Sequence, residues 1–433
     1  MNANETPTAA ARRLVAAGRR DEAEKVVAAL IAENFDLALV RVAINADWSS
    51  LNSLNGVVDV ADGRRFFFKF HQEEGESETV EEYYRAELLE SAGYPVDVPA
   101  MMSRRPGHQV LLYAYRKDRQ LADACLEIER RGRQGDTDLI VLQRALDTLT
   151  GDIYLRTLHE SRLEWCKTEP IHQLFHHRLV TPPNDTSLGG RVERFYAGKP
   201  VILSGVTVLW KDFARLRWRI NGIEYRHCLG ELFQEGLARL RPANLASSGA
   251  VVAHGDAHNA NVWIEQGAKA ARLVLFDPAF AGRHVPALLA DVKATFHNIF
   301  AHPFWLYHPA EADTRFESDL VIRNGWIELQ HDWALSPLRA EFLELKRDLI
   351  WRPLLAELYR LHLLPDDWRR IVRCALFCCP TLVMNLSAGA AHGATPGRSP
   401  ALSALSFAIS VMSGSEPATG DDAFVALLDG SAF

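Results

Sequence analysis

The spacing of apolar residues changes several times along the chain, and each change predicts a different element. Over residues 8–34 apolar positions recur at helical spacing with a break at Gly18, which predicts one or two helices. Two β-rich runs, 57–60 and 65–70, then flank residues 61–64. The Asp-Gly pair of that turn predicts a β-hairpin.

The hairpin is followed by a change of period and then by a return to β character. Residues 79–92 have a helical pattern that ends at Gly93, a residue suited to a helix C-terminus. Residues 109–115 are rich in apolar and aromatic side chains and predict another strand. A strand pair, a helix and a further strand together predict a small α+β unit that ends near residue 120.

The remainder of the chain predicts a larger and mostly helical part. Residues 121–159 and 230–240 are helical in pattern, and an Asn-Gly turn at 221–222 predicts a second hairpin within the irregular segment 160–225. Short strands are expected at 251–254, 262–264 and 273–276. After Asp277 helices are expected to dominate, over 286–301, 336–362 with a break at Pro353, 367–390 and 399–412.

Composition narrows the class of protein. The formal net charge of the 433-residue chain is −7, which argues against a general nucleic-acid binder. No apolar run reaches the roughly 18–20 residues of a membrane-spanning helix, and the N-terminus does not have the pattern of a secretory signal. The six cysteines form no disulfide framework, so we expect reduced thiols and a cytoplasmic protein, with Cys374 and Cys378 in the core.

Three polar residues lie directly after, or shortly after, the predicted short strands, where side chains from different strands can meet. Asp256 and Asn261 lie after the first of these strands, and Asp277 follows the last. A short connection between the strands would bring two carboxylates and one amide to a common edge. Oxygen ligands of this kind suit Mg²⁺, which binds proteins through one or two carboxylates together with substrate phosphates. The pattern therefore indicates phosphoryl transfer, with an aspartate near the attacking hydroxyl.

The segment His254-Gly-Asp-Ala-His-Asn-Ala-Asn261 resembles the catalytic loop of the aminoglycoside phosphotransferase and choline kinase group of the protein-kinase-like superfamily. The resemblance implies a bilobal α+β fold. A nucleotide-binding lobe with an antiparallel sheet would cover 45–118 and a mostly helical lobe 119–433. Residues 1–44 would be a helical extension, and 160–225 an insertion that contributes to the substrate site.

The same resemblance implies roles for the loop residues. Asp256 would be the catalytic base, and Asn261 and Asp277 would hold Mg²⁺ for transfer of the γ-phosphate of ATP to a hydroxyl of a small molecule. Asp291 would brace the catalytic loop. Gly255 stands where protein kinases usually have arginine, and no Asp-Phe-Gly or Ala-Pro-Glu segment is present, which argues against a protein substrate.

Upstream residues complete the implied nucleotide site. Lys69 would contact the ATP phosphates and be oriented by Glu82 or Glu87, of which Glu82 is preferred. A Ser/Asn-rich segment takes the place of a glycine-rich loop, so its phosphate contacts stay open. The remaining residues assigned to ATP lie in this segment and in the expected hinge 112–116; they are Ser53, Asn55, Tyr113 and Tyr115.

Two other functions remain open on the sequence alone. His254, Asp256 and His258 alternate and would suit a metal-dependent hydrolase. A kinase-like protein that binds nucleotide without catalysis is the other. The acceptor is not readable: an antibiotic, an amino alcohol, a sugar or a nucleoside would each fit. Carboxylates that would suit a cationic acceptor are Asp212, Glu224 and Glu231.

Overall fold

A computed structural model describes residues 5–45, 53–71, 85–103, 105, 107–132, 137–268, 270–391 and 395–429. Within these ranges the chain is a mixture of helices and mostly antiparallel sheets. No helix in the same ranges combines the length and apolar composition that a membrane crossing requires.

The first part of the described chain is a five-stranded antiparallel sheet with helices packed on one face. The order of the strands is β1-β2-β3-β5-β4. The elements are α1 (Pro7–Ala16), α2 (Arg20–Phe35), β1 (Leu39–Ile44), β2 (Ser53–Val60), β3 (Arg65–His71), α3 (Ala86–Ala92), β4 (Met101–Ser103) and β5 (Val110–Ala114). The predicted helix pair, its break at Gly18, the hairpin and the strand near 109–115 are all confirmed.

Alternation along the strands decides which face of this sheet is buried under helices. Phe66 and Phe68 of β3 join α1 and α2 in one hydrophobic cluster, whereas Lys69 and its cross-strand neighbours point to the opposite face. Gly56 of β2 lies opposite Phe68. A Cβ there would come 2.1 Å from the carbonyl oxygen of Ala43, so the strands can approach this closely only with glycine.

The middle of the chain is formed mainly by short helices and small hairpins. The Asn221-Gly222 turn adopts positive φ at both residues, and the predicted hairpin is confirmed. The elements are β6 (Arg119–Gln120), α4 (Leu121–Arg130), α5 (Thr137–Thr157), α6 (Leu163–Cys166), a 3₁₀ turn (Pro170–Leu174), α7 (His176–Leu179), α8 (Gly190–Phe195), β7 (Pro200–Leu203), β8 (Val206–Leu209), α9 (Trp210–Phe213), β9 (Arg217–Ile220), β10 (Ile223–Glu224), α10 (Leu229–Arg239) and α11 (Pro242–Leu245).

Four short strands frame the segment that carries the predicted chemistry. They are β11 (Ala250–Ala253), β12 (Val262–Gln266), β13 (Ala271–Leu275) and β14 (Gly282–Pro286). Strands β12 and β13 are antiparallel, with Val262 opposite Leu275, and β11 pairs with β14. Asn261 therefore precedes β12 at the same sheet edge at which Asp277 follows β13.

The C-terminal part is mainly helical, as predicted, but it contains strands that the pattern did not reveal. Residues 286–301 were expected to form one helix; helical structure begins instead at Val292. The elements are α12 (Val292–Thr295), a π-helical turn (Phe296–Phe300), α13 (Pro309–Ala312), β15 (Ser318–Arg323), β16 (Trp326–His331), α14 (Pro337–Lys346), a second π-helical turn (Arg347–Trp351), α15 (Arg352–Arg360), α16 (Trp368–Val383), α17 (Pro400–Gly414) and α18 (Ala423–Asp429).

The hairpin of β15 and β16 lies between the helices expected after Asp277 and was not predicted. Its turn is Asn324-Gly325, again with positive φ at both residues, and β16 also pairs in parallel with β9. The break expected at Pro353 is confirmed, since a π-helical turn ends two residues before this proline. All six cysteines are free and buried, as expected.

Candidate active site

The catalytic-loop motif forms a tight turn at the end of β11. Gly255 has φ +78°, and a Cβ on it would lie 2.6 Å from the carbonyl oxygen of Phe280. Residues with a Cβ rarely adopt this backbone conformation, and here the space is also occupied. The glycine that distinguishes this motif from the protein-kinase version is thus required by the local packing.

His254 locks this turn with both of its ring nitrogens. Its Nε2 bonds to the carbonyl oxygen of Phe276 at 3.0 Å, and its Nδ1 accepts the backbone N–H of Asp256 at 3.3 Å. Burial lowers the pKa of His254, in keeping with a neutral ring that donates through Nε2. Because both nitrogens are engaged within the protein, His254 is a poor metal ligand, which disfavours the metal-dependent hydrolase.

Asp256 is followed by a short run of internal hydrogen bonds that ends at Asn261. The carbonyl oxygen of Asp256 accepts the Asn261 side-chain amide at 3.0 Å and the His258 N–H at 2.8 Å. Among the described residues, however, Asp256 Oδ1 is buried with no hydrogen-bond partner. Buried acceptors are normally satisfied, so this oxygen marks a place where a ligand's donor is expected.

The backbone of the loop is also anchored from outside. The N–H of Asn259 donates to Oδ1 of Asn298 at 2.7 Å, and Asn298 lies in the π-helical turn 296–300. π-Helical turns occur frequently at functional sites. This anchor fixes the loop against the helical part of the chain.

An ion pair between Lys69 of β3 and Asp277, the second residue after β13, connects the N-terminal sheet to the β12–β13 hairpin. Lys69 Nζ lies 2.5 Å from Asp277 Oδ1, and the lysine is largely buried. Asp277 has φ +58°, a conformation that aspartate tolerates better than most residues and that is often found at functional sites. The carbonyl oxygen of Asn261 accepts the N–H of Phe276 at 3.0 Å, which holds the residue before Asp277 beside the metal-ligand candidate Asn261.

Three of the residues predicted to bind nucleotide, Lys69, Asn55 and Tyr113, lie on one face of the N-terminal sheet. Asn55 is the direct cross-strand partner of Lys69, and its Oδ1 accepts the side-chain amide of Asn45 at 2.7 Å. Tyr113 lies on the same face, opposite Phe67, and lines a narrow cleft with Glu87 and Pro278. The prediction for these residues therefore agrees with a common location, while their contact with ATP stays a prediction.

The remaining residues predicted to bind or orient the nucleotide site are Ser53, Tyr115 and the two candidate glutamates. The backbone of Ser53 pairs with His71 at the start of β2. Tyr115 lies just past the end of β5, and its partly exposed ring stacks under the guanidinium of Arg65 at 4.9 Å. Glu82 lies outside the described residues. Glu87, the other candidate partner of Lys69, is in the first turn of α3 and borders the cleft.

Asn261 and Asp277 have the donor types that Mg²⁺ requires. The Asn261 amide nitrogen bonds to Asp256, which leaves its side-chain oxygen for a cation. Asp277 contributes a carboxylate, which forms an ion pair with the Lys69 ammonium. A bound metal ion would also neutralise the charge of this carboxylate. The two side chains thus fit a magnesium ion by chemistry and by proximity along the β12–β13 edge.

Three side chains near Asp256 were not identified from the sequence. Lys293 Nζ lies 3.9 Å from Asp256 Oδ1 and 2.7 Å from His297 Nε2, and His297 Nδ1 bonds to the hydroxyl of Tyr307. The sequence pattern predicts only a helix over 286–301 for Lys293 and His297, and Tyr307 lies beyond its end. A lysine within an apolar helical run was the only signal that the sequence contained.

Other sequence predictions near the site need correction. Asp291 was expected to brace the catalytic loop, but the partners of its carboxylate are Lys346 at 3.2 Å and Thr295 at 2.9 Å, neither of which belongs to that loop. Of the suggested acceptor carboxylates, Glu224 pairs with Arg219 and Glu231 with Arg217. These two acids are neutralised by arginines on and near the β9–β10 hairpin, which weakens their assignment to a cationic acceptor.

Comparisons with known proteins gave no match to a protein-family model and none to a curated protein. Solved structures similar to this chain include several small-molecule kinases. A microcompartment-associated aminopropanol kinase is 11% identical, with 90% of this chain and 95% of that one covered at a TM-score of 0.39. A putative fructosamine-3-kinase from Thermobifida fusca is 14% identical, covering 82% and 91% at 0.33. The macrolide 2'-phosphotransferase MphH from Brachybacterium faecium is 14% identical, covering 82% and 98% at 0.33.

Proposed function

We propose that this protein is an ATP- and Mg²⁺-dependent phosphotransferase that transfers the γ-phosphate to a hydroxyl of a small molecule. One observation carries the proposal. Lys69, from the N-terminal sheet, meets Asp277 at 2.5 Å, while Asp277 follows the strand that pairs with the strand after Asn261. This contact supports the proposal, because it joins the lysine expected to bind phosphate to one of the two candidate metal ligands.

The reaction would proceed as a direct displacement. The acceptor hydroxyl donates its hydrogen bond to Asp256 Oδ1, the buried acceptor atom that has no partner among the described residues. The new bond forms between the acceptor oxygen and the γ-phosphorus. The bond from that phosphorus to the bridging oxygen breaks, ADP leaves, and the hydroxyl proton passes late to Asp256.

Other residues of this chain would position the nucleotide. Lys69 would exchange its contact with Asp277 for the ATP phosphates, and the hinge 112–116 would contact the base. Magnesium held by Asn261 and Asp277 would supply neutralisation of charge on the phosphate oxygens. Most of the rate gain would come from positioning and charge stabilisation.

The test of this function is a screen for ATP consumption over antibiotics, amino alcohols, sugars and nucleosides, with Asp256→Asn as the matched control. We expect acceptor-dependent ADP release that the Asp256→Asn protein lacks, while binding of MgATP is largely unchanged. Near-normal turnover in Asp256→Asn would remove this residue from the role. ATP binding without transfer across the panel would instead favour a non-catalytic protein.

The metal role of Asp277 has a separate test. Asp277→Asn keeps the shape of the side chain but removes its charge, so the Mg²⁺ concentration required for half-maximal turnover should rise steeply. The same Mg²⁺ dependence in wild-type and variant proteins would count against Asp277 as a metal ligand.

A further inference from the structure

Lys293 is a buried cation next to the proposed base, and the reaction outlined above makes no use of it. Only 4% of the residue is exposed, and its Nζ lies 3.9 Å from Asp256 Oδ1. A buried ammonium is costly unless it is compensated by charge and hydrogen bonds. The presence of a buried lysine beside Asp256 therefore needs an explanation in terms of its contacts.

Two further side chains hold Lys293 in place. Its ammonium donates to His297 Nε2 at 2.7 Å, and His297 Nδ1 bonds to the hydroxyl of Tyr307. Burial holds the pKa of His297 well below the usual range, so its ring is neutral and carries one proton. With Nε2 as the acceptor, that proton lies on Nδ1 and is donated to the Tyr307 oxygen.

This tether fixes Lys293 at a particular distance from Asp256. At 3.9 Å the ammonium is beyond hydrogen-bond reach of Oδ1 but close enough to attract the negative charge of the carboxylate. A direct hydrogen bond would take one of the two lone pairs of Oδ1, whereas this spacing leaves both available to the acceptor hydroxyl. The other oxygen, Oδ2, faces His258 Nε2 at 3.7 Å.

We propose that Lys293, held by His297 and Tyr307, is a positioning residue that keeps the Asp256 carboxylate aimed while leaving Oδ1 without a protein hydrogen bond, so that the acceptor hydroxyl can donate to it. This inference rests on the proposed phosphotransferase function. Lys293 acts through Asp256 and needs no contact with substrate. The segment that carries it, α12 and the π-helical turn after it, also anchors the catalytic loop through Asn298.

A purely structural role for Lys293 predicts a different result when its charge is removed. Loss of packing lowers the stability and the fraction of folded enzyme, but the turnover of each folded molecule stays the same. Loss of positioning lowers kcat for each nucleotide-binding site and leaves the KM for MgATP largely unchanged. The kinetic constants must therefore be expressed per binding site.

The experiment uses the full-length chain with MgATP and an acceptor found by its Asp256-dependent turnover. Binding sites are counted by titration with MgATP. For Lys293→Met we expect kcat per site to fall about 30-fold or more with KM for MgATP within about 2-fold of wild type, and Lys293→Arg should restore much of the loss because it keeps the charge.

A gentler variant covers the case in which Lys293→Met does not fold. Tyr307→Phe removes only the hydroxyl at the end of the tether and should lower kcat about 3- to 10-fold. In the Lys293→Met background it should have no further effect, because it acts through the lysine. The matched control is Tyr154→Phe, which removes a buried hydroxyl that donates to the Ala290 carbonyl at 3.2 Å, on the other side of this segment. We expect it to affect stability and not kcat per site.

The outcomes separate the two proposals. Wild-type-like kcat per site in both Lys293→Met and Tyr307→Phe, with Asp256→Asn inactive, would overturn the role of Lys293 and leave the phosphotransferase standing. Equal kcat losses in Tyr307→Phe and Tyr154→Phe would also overturn it. If the wild-type protein shows no Asp256-dependent transfer, the proposed function fails, and the positioning role falls with it.

Discussion

The buried ion pair of Glu129 in α4 and Arg339 in α14 allows a quantitative test of how much such a pair contributes to the stability of this protein. Arg339 Nε lies 2.9 Å and Nη2 3.0 Å from the two oxygens of Glu129, and the side chains are 0% and 1% exposed. Burial by itself raises the pKa of Glu129, but Arg339 outweighs this effect and holds it below its usual range. Arg339→Met leaves a buried carboxylate without its cation, which typically costs about 3–5 kcal/mol.

The assay is urea unfolding followed by tryptophan fluorescence, with Arg130→Met as control. Arg130 is the neighbour of Glu129 in sequence, but its pair with Glu311 is exposed, at 48% and 29%. We expect the control to lose less than about 1 kcal/mol, since exposed pairs contribute little. Replacing both members of the buried pair by apolar residues should recover much of the Arg339→Met loss. Equal losses for Arg339→Met and Arg130→Met would refute the reasoning.

Two further predictions concern the loop and the buried histidines. Gly255→Ala should lower turnover and destabilise the protein by more than the roughly 1–2 kcal/mol that an alanine in the left-handed conformation costs, because the new Cβ would also lie 2.6 Å from the Phe280 carbonyl oxygen. Gly325→Ala is the control: it has open space around it, so it should lose only that amount of stability and keep full activity. Equal effects of the two substitutions on turnover would contradict this. Burial lowers the pKa of His172 and of His302 to about 3. Unfolded histidines titrate near 6.5, so the unfolded state binds more protons between these values. Stability present above about pH 6.5 should therefore fall by about 2 kcal/mol per histidine at pH 5, and a urea midpoint unchanged from pH 7 to pH 5 would contradict it.

Features with a local chemical cause could be predicted from the sequence. The Asp-Gly hairpin, the helix that ends at Gly93 and the strand–loop–strand around the motif all depend on residues close together in the chain. The proximity of Asn261 and Asp277 was also predictable. A short connection between antiparallel strands fixes which ends meet, and the observed register with Val262 opposite Leu275 follows from it.

The hairpin of β15 and β16 was missed although the sequence contains its signal. Asn324-Gly325 is the same dipeptide as Asn221-Gly222, and the residues before it alternate between partly buried and exposed. The two strands lie between segments with long helical patterns, and these patterns favoured a helical interpretation over the hairpin that the Asn-Gly turn indicates. The parallel pairing of β16 with β9 joins segments about a hundred residues apart, for which neither strand carries a local signal.

The surroundings of Asp256 were beyond sequence reasoning for a physical reason. Lys293, His297 and Asn298 lie where an apolar helical pattern continues, and the pattern alone indicates core. In the structure a π-helical turn over 296–300 interrupts the regular helix, so that two consecutive side chains, His297 and Asn298, both serve the site. The extra residue in a π-helical turn changes which side chains face the loop. The presence of such a turn cannot be recognised from the residue types in the segment.

The hydrogen bonding of the loop supports the proposal that Asp256 is its catalytic residue. His254 uses both ring nitrogens, and the backbone N–H groups of His258, Asn259 and Asn261 all have acceptors. Two loop side-chain oxygens are buried without a hydrogen-bond partner among the described residues, Oδ1 of Asn259 and Oδ1 of Asp256. Asn259 is 3% exposed and its amide faces Cys125, whereas the Asp256 side chain is 14% exposed. Of these two side chains, only that of Asp256 is partly exposed, although its unsatisfied Oδ1 is itself buried. A substrate hydroxyl that donates to it would recover about 1–3 kcal/mol of desolvation, which favours an acceptor with a hydroxyl over an analogue without one.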